Sequence, residues 1–549
     1  MAKAQRWSAP GPPKTESFVS KRILVRSVDM RGTLSEVDCL VVTTRPGWAE
    51  PSQSSSWNRG KVSANFSCDL SGTSSHLKHA WQHTVGSGRA LLALRADWQQ
   101  QLERCHRELG FRYVRFHGLL DDDMGTLITH QDKFLYSFFN TDRIFDYLLK
   151  IGMRPFVELS FMPNTLASGG ESVFSYRGNI TPPKDYSEWA TLIRKIVSHW
   201  VDRYGVAEVS KWFFEVWNEP NLPAFWAGTQ KDYFELYARS ARAIKTVHPS
   251  LQVGGPATAV NAWVEELLDY CQQNNVPADF ISTHIYPTDP LGFEGANTEE
   301  QLANSPRHLM RDQAKLTRDR ALGRSVYYTE WNISSNPRDH YHDEPFAAAY
   351  AIKTVMETDE FVDGYSFWTF TDIFDENYFP SVPFHGGFGL LNLYGVPKPI
   401  YRAFQLLSHL GTQKIPVEGT HDTVDAWAVR RDTSATLLLT NHAQPRQEIA
   451  SQLVRVRLAT ASVPRAVYVE RVDHDHANAQ ALWEGMGIPE HLSPFQVEQL
   501  EAASRLVKER LPWSYQDGTI QIAVDLPPHA VAAITLEFES EQRYGSVHP

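Results

Sequence analysis

Residues 96–118, ADWQQQLERCHRELGFRYVRFHG, contain the unit from which most of the chain is built. Apolar positions in the first part recur at helical spacing, Gly110 stops the helix, and the β-rich run FRYVRFHG follows and ends at Gly118. Further β-rich runs come at KFLYSFFN (133–140), RPFVELSFMP (154–163), KWFFEVWNEPN (211–221), LQVGGPA (251–257), DFISTHIYP (279–287), SVYYTEWN (325–332) and DGYSFWTF (363–370). Amphipathic helical stretches such as TDRIFDYLLKIG and FELYARSARAIKTV separate most of them. Eight strands alternating with helices over about 300 residues predict an α/β architecture, a (β/α)₈ TIM barrel, placed at residues 97–408.

Outward from the barrel the pattern changes. After about residue 410, strand-like runs return without regular helices: VDAWAVRR, SATLLLTNH, QLVRVRLAT, AVYVERVDH, TIQIAVDL and AVAAITLEF. They predict an additional all-β sandwich domain at 409–549, with a helical insertion near 490–511 (PFQVEQLEAASRLVKERL). Residues 21–96 begin with β-rich runs (RILVRSV, CLVVTT) and are expected to pack with that sandwich, behind a Pro- and Ser-rich flexible segment at 1–20.

The 549 residues exceed what one hydrophobic core usually serves, which agrees with more than one domain. Apolar residues make up 42% and charged residues 21%, an ordinary globular composition. A net charge of −11 argues against nucleic-acid or anionic-membrane partners, both of which need a basic face. Aromatics reach 12%, mostly as core, with sugar stacking as a second outlet. Cys39, Cys68, Cys105 and Cys271 are scattered, without CxxC spacing, and suggest a reducing compartment. No signal-peptide pattern or bilayer-length apolar run is present, so a cytoplasmic location is expected, with oligomeric state left open, a homo-oligomer included.

Functional side chains of such barrels sit at the C-terminal ends of the strands. Those ends carry Arg115, His117, Phe161, Asn218, Glu219, His284, Tyr286, Glu330, Trp331 and Trp368, of which Phe161 reads as core. Glu219 and Glu330, after the fourth and seventh strands, stand out. A carboxyl pair is what glycoside hydrolysis needs: one protonates the leaving oxygen while the other attacks or activates water. Either glutamate alone would read as a strand-end salt bridge; together, among aromatics and histidines, they read as a reaction site.

FEVWNEPNL, THIYP, YYTEWN and FWTFTDIFDE, in that order and spacing, resemble glycoside hydrolase family 39, whose best-known members are β-xylosidases. The likeness extends to HTVGSGRALLALRADWQ (83–99), RFHG (115–118), VPFHGGFGLLNLYGVPKPIYRAFQLL (382–407) and HANAQALWEGMGIPEHLSPFQVEQLEAAS (476–504). The resemblance implies a retaining, exo-acting hydrolase that releases xylose from small oligosaccharides, with Glu219 as acid/base and Glu330 as nucleophile. It further implies that Asn218 binds the sugar 2-hydroxyl, and that His117, His284 and Tyr286 line the pocket over a Trp368 floor. Glu376 would grip the non-reducing end, with His83 approaching the same pocket. No cofactor and no metal are expected.

The sequence departs from the xylosidases at Ser335, where a Tyr is frequent, and at Asp375, where a second Glu is frequent. Both weaken the sugar identity and leave the reaction class in place. An α-L-iduronidase, a β-glucosidase, an arabinosidase, or an inactive carbohydrate-binding barrel are the alternatives. A metal-dependent lyase or a Schiff-base aldolase would need strand-end ligands or a lysine that the sequence does not show. DHYHDE (339–344) and DHDHAN (473–478) have His-x-His spacing, but read as solvated polar loops. An iduronidase needs a cation for the sugar carboxylate, for which Arg115, expected in a structural pair, and Arg338 are the candidates.

Overall fold

The computed structural model describes residues 63–288, 297–376 and 378–539, and the backbone of two strands at 21–28 and 34–41. Residues 1–60 form a unit of their own, in which Lys21–Val28 and Leu34–Val41 pair antiparallel. The segment 1–20 lies outside the described residues.

Eight parallel strands close into a barrel: β1 (Thr84–Arg89), β2 (Tyr113–His117), β3 (Arg154–Leu159), β4 (Phe213–Val216), β5 (Gln252–Thr258), β6 (Phe280–Ile285), β7 (Ser325–Trp331) and β8 (Gly364–Phe367). Each is followed by a helix: α1 (Ala96–Leu109), α2 (Phe139–Ile151), α3 (Tyr186–Tyr204), α4 (Gln230–Val247), α5 (Val264–Asn274), α6 (Leu309–Arg320), α7 (Pro345–Thr358) and α8 (Pro399–Ser408). Local signals bound these helices, the Gly110 stop among them as the sequence suggests. Gly110 takes φ +81 and donates back to His106 at the end of α1, and Thr229 and Asp232 form a reciprocal capping box on α4.

Two barrel expectations are corrected. KFLYSFFN supplies no barrel strand: Lys133–Tyr136 pairs antiparallel with Leu127–His130 across a turn where Gln131 and Asp132 take positive φ, and most of this hairpin is exposed. The missing strand is β1, TVGSGR, which begins ahead of residue 97. Its two glycines hide it from a β-propensity reading, and Gly86 is required, because a Cβ there would meet the Trp368 ring at 2.6 Å. One strand is lost and one gained before β3, so Glu219 and Glu330 still belong to the fourth and seventh strands.

Inward positions on the strands stack in layers. At the N-terminal end, Tyr113, Phe156, Phe213, Phe280 and Tyr327 close the barrel with an aromatic plug. His83 belongs to this plug. It sits one residue before β1, stacks on Tyr113 with centroids 4.7 Å apart, and pairs Nδ1 with the Thr84 hydroxyl at 2.7 Å. Burial lowers its pKa to about 3, which suits a neutral ring among aromatics. The expectation that it approaches the sugar pocket fails because it occupies the opposite end of the strands. The next layer is polar, with Arg115, Glu158, Glu215 and Thr329 buried one step above the rings.

The sandwich has two sheets. One contains β9 (Val424–Arg431), β10 (Ser434–Asn441), β12 (Ala466–Val472) and β14 (Val531–Glu537); the other contains β11 (Gln452–Ala459) and β13 (Thr519–Leu526). Ser63–Asp69 adds to the second sheet beside β11, and Ser75–His76 pairs with Gln413–Ile415 at the edge of the first. Two short helices, Ala479–Gly485 and Pro494–Ala503, form the insertion, which starts earlier than expected and turns back into strand at Glu509–Arg510.

Replacing His83 with Ala is expected to leave KM for the sugar unchanged while lowering stability by about 2–4 kcal/mol, as for a core truncation. Thermal unfolding and steady-state kinetics on the same variant check this; a raised KM with an unchanged midpoint would return His83 to the pocket.

Candidate active site

At the C-terminal end of the barrel the strands open onto a cavity of about 520 Å³, lined among others by His117, Asn218, Glu219, Tyr286, Glu330 and Trp368. Backbone geometry aims both glutamates inward. Trp217 and Glu219 take φ of +72° and +42°, a region that non-glycine residues enter at a cost of about 1–2 kcal/mol. The turn is held by Trp217 Nε1 donating to Phe225 O at 2.8 Å and by Glu219 N donating to Ala257 O at 2.8 Å. On β7, the pairing registers with β6 and β8 both shift near Thr329, so that Thr329 and Glu330 face the interior in succession.

Beneath the glutamates lies Arg115, with no exposed surface. Its Nε donates to Glu215 at 2.6 Å, and one terminal nitrogen donates to Glu330 Oε1 at 2.8 Å. The other lies 2.7 Å from Glu158 and donates to Asn218 Oδ1 at 2.9 Å. Because Arg115 takes Oδ1, the Asn218 amide nitrogen is the end left to meet a ligand. Burial works against the Arg115 charge, yet Glu158, Glu215 and Glu330 raise its pKa above the ordinary arginine value. Arg115 and His117 likewise hold Glu158 below the usual carboxylate range against the effect of burial.

Glu330 also accepts from the Tyr286 hydroxyl at 3.0 Å. An oxygen of Glu219 lies within 4.8 Å of one of Glu330. Burial raises both acids, but they divide unequally. On Glu330, Arg115 and His117 oppose the rise; on Glu219 the negative charge of Glu330 adds to burial, against a smaller opposing effect of Arg115, and the pKa stands well above the ordinary value. Of the two, Glu219 is the better placed to hold a proton. His284 Nδ1 stands 3.0 Å from Glu219 Oε1, and burial lowers the His284 pKa well below the ordinary value, so the ring is neutral. Glu219, His284 and Glu330 thus converge, each placing one oxygen or nitrogen within 4.8 Å of the others.

Glu376 is buried beyond β8, and its Oε1 has no hydrogen-bond partner among the described residues. His117 Nε2 lies 3.6 Å from Glu330 and 3.7 Å from Glu376, while its Nδ1 pairs with Glu158 at 2.8 Å. Trp368 packs against His117 with centroids 4.7 Å apart. A hairpin at Ser172–Asn179 walls the cavity and carries Phe174. Ser175 ties it to the segment beyond β8, donating from N to Glu376 O and from Oγ to Asp375 O, both at 2.6 Å. Asp375 turns away from the cavity toward Arg89, which donates to it at 3.1 Å and covers the Tyr176 ring. Ser335 does line the cavity, against Thr288 at 3.0 Å.

Of the expected site residues, Glu219, Glu330, Asn218, His117, His284, Tyr286, Trp368 and Glu376 come together, and His83 does not. Phe161 is core, as read. The sequence reading missed Glu158 and Glu215, and the wall residues Phe174, Phe225 and Phe388. The two acids had a signal: each is a lone charge inside an otherwise apolar strand run, RPFVEL and WFFEV. The DHYHDE segment is no solvated loop. His342 and Asp343 are buried, His342 pairing with Gly386 O at 2.8 Å and Asp343 with Lys398 at 2.6 Å. In DHDHAN, Asp473 is buried and pairs with His476 at 2.7 Å, whereas His474 is exposed.

The model of Glycosyl hydrolases family 39 matches residues 66–521 of this chain. A beta-xylosidase of Caldicellulosiruptor saccharolyticus is 49% identical over 464 residues, 83% of this chain and 95% of that protein. A beta-xylosidase of Geobacillus stearothermophilus is 38% identical over 477 residues, 84% and 93%. The crystal structure of a monomeric beta-xylosidase from Caulobacter crescentus CB15 superposes with a TM-score of 0.77 at 33% identity, over 86% of this chain and 99% of that one.

Arg115→Met is expected to leave three buried carboxylates without their cation, costing about 3–5 kcal/mol and abolishing measurable turnover. Denaturant unfolding and kinetics on the purified variant check this; wild-type stability with normal kcat would contradict it.

Proposed function

The chain belongs to glycosyl hydrolases family 39 and is a glycosidase; from that premise we propose that it is a retaining exo-β-xylosidase acting on xylo-oligosaccharides. The observation that carries the mechanism is the unequal carboxyl pair. The separation of Glu219 and Glu330 oxygens, within 4.8 Å, favours direct attack; an inverting pair stands about 6.5–9.5 Å apart to admit a water.

Glu330 attacks the anomeric carbon as the glycosidic bond breaks, and Glu219 gives its proton to the departing oxygen. The ester so formed removes the charge of Glu330, and with it the repulsion that raised Glu219. Glu219, now ionised, takes a proton from the water that attacks the same carbon and releases Glu330. Arg115 and Tyr286 hold the two oxygens of Glu330 and stabilise it as a leaving carboxylate. Asn218 meets the 2-hydroxyl, Glu376 and His117 the hydroxyls of the terminal sugar, and Trp368 its apolar face. The tie from Ser175 to the Glu376 segment supports closure behind that sugar, hence exo action.

Xylose is favoured over uronic acids because the described lining residues offer no free cation. Arg115 is saturated by its partners, and Arg338 lies over the Tyr378 ring and donates to its hydroxyl at 2.9 Å. Ser335 leaves space that admits a glucoside or arabinoside more weakly. The described cysteines, Cys68, Cys105 and Cys271, are free and buried, which supports a cytoplasmic setting. No helix among the described residues is long and apolar enough to cross a membrane.

A panel of aryl glycosides tests the reading. The β-D-xyloside is expected to be hydrolysed best and iduronides not at all, because an unpaired sugar carboxylate loses about 1.5–3 kcal/mol of charge-assisted bonding. With an activated aryl xyloside, Glu330→Ala should be inert, whereas Glu219→Ala should regain rate with azide and release the β-xylosyl azide. Preference for an iduronide would overturn the sugar, and azide rescue of Glu330→Ala with release of the β-xylosyl azide would overturn the roles.

A further inference from the structure

This inference rests on the acid role proposed for Glu219 and concerns what keeps a proton there in the free enzyme. Glu215 accepts from Arg115 Nε at 2.6 Å through Oε2 and from the Thr329 hydroxyl at 2.7 Å through Oε1. A carboxylate paired with a guanidinium only accepts, so the single hydroxyl hydrogen of Thr329 is committed to Glu215. The other partner of that hydroxyl is His284 Nε2, 3.2 Å away. Its hydrogen already used, the Thr329 oxygen can only accept, and Nε2 carries the proton of the neutral ring. Nδ1 is then left with a lone pair, and it faces Glu219 Oε1 at 3.0 Å. At that distance two lone pairs repel, and attraction arises when Glu219 holds a proton.

We propose that Thr329 is a positioning residue: it fixes His284 as the Nε2–H tautomer, so that Nδ1 accepts from protonated Glu219 and opposes its ionised form. The burial of His284, which keeps the ring uncharged, agrees with this. The effect serves both half-reactions. It holds the acid loaded before substrate binds, and it makes ionised Glu219 a stronger base toward the incoming water. The other ionisable groups facing this pair are Arg115 and His117 on β2, Glu158 on β3, Glu215 on β4, Tyr286 beyond β6, Glu330 on β7 and Glu376 beyond β8. Arg115 and Tyr286 are engaged with Glu330, and the hydrogen bond at the Glu219 carboxyl is with His284.

The test compares Thr329→Val and Thr329→Ser through the pH dependence of kcat/KM on an aryl β-xyloside with a poor leaving group. Without the hydroxyl, His284 can protonate at Nδ1 and donate to ionised Glu219. The basic limb of the valine variant should move to lower pH by roughly one unit or more, while the serine variant keeps the wild-type limb. Should the valine variant fail to fold, ¹⁵N-histidine NMR of the wild-type protein reads the tautomer directly, with the proton expected on Nε2. An unmoved limb in the valine variant, an equal shift in the serine variant, or a proton on Nδ1 would overturn the inference. Azide rescue of Glu219→Ala tests the acid role independently. Rescue together with an unmoved limb would therefore sink the tautomer argument alone.

Discussion

Three carboxylates meet one guanidinium inside the barrel, and the ion pairs of Arg115 with Glu158, Glu215 and Glu330 constrain the groups around them. Anionic charge already outnumbers the cation in this layer, so a further buried carboxyl nearby is better placed with a proton than without one. Glu219 and Glu376 both sit within that field, and both are raised well above the ordinary carboxylate value by burial and then by Glu330. Glu330 differs because a hydrogen bond from Arg115 ends on it. The proposed division of labour between two chemically identical side chains thus rests on which one accepts a hydrogen bond from the guanidinium.

The same layer explains why the barrel is plugged at one end and polar above. Aromatic rings at the strand starts exclude water from beneath Arg115, which strengthens its ion pairs and makes the loss of any partner expensive. The opposite end is shaped by segments with little regular structure. The hairpin carrying Phe174 and the stretch carrying Glu376 are bonded to each other, and Arg89 adds pairs to Asp375 and Asp123. The sandwich contributes no described residue to the cavity lining; it packs against α7 and α8, where Lys353 lies 3.6 Å from Asp425, and Arg307, ahead of α6, pairs with Asp425 at 2.8 Å.

Much of this was legible in the chain itself, for physical reasons that also mark the limits. Strands buried on both faces show as apolar runs, and a polar residue at the end of such a run, as in FEVWNE or YYTEW, is exposed by its contrast. Where close approach replaced side-chain burial, the signal vanished. TVGSGR is a barrel strand whose Gly86 makes room for Trp368, so the residue that makes it work also conceals it. Conversely KFLYSFF carries strand composition without a place in the barrel, since composition reports local preference and not a partner. His83 was misplaced for a related reason: with TVGSGR unread as a strand, nothing showed that His83 precedes one and so lies at the N-terminal end of the barrel. Wall residues such as Phe174, on a short hairpin at φ +62, depend on long-range ties that no local pattern encodes.

We propose Glu330 as the residue that becomes covalently bound to the sugar, and trapping that intermediate tests this role most directly. A 2-deoxy-2-fluoro-β-xyloside with an activated leaving group slows release of the glycosyl-enzyme more than its formation. Mass spectrometry of the digested protein should then find one fluoroxylosyl group on the peptide containing Glu330, with loss of activity in step with labelling. A label on Glu219 or elsewhere, or full inactivation without any covalent adduct, would contradict it.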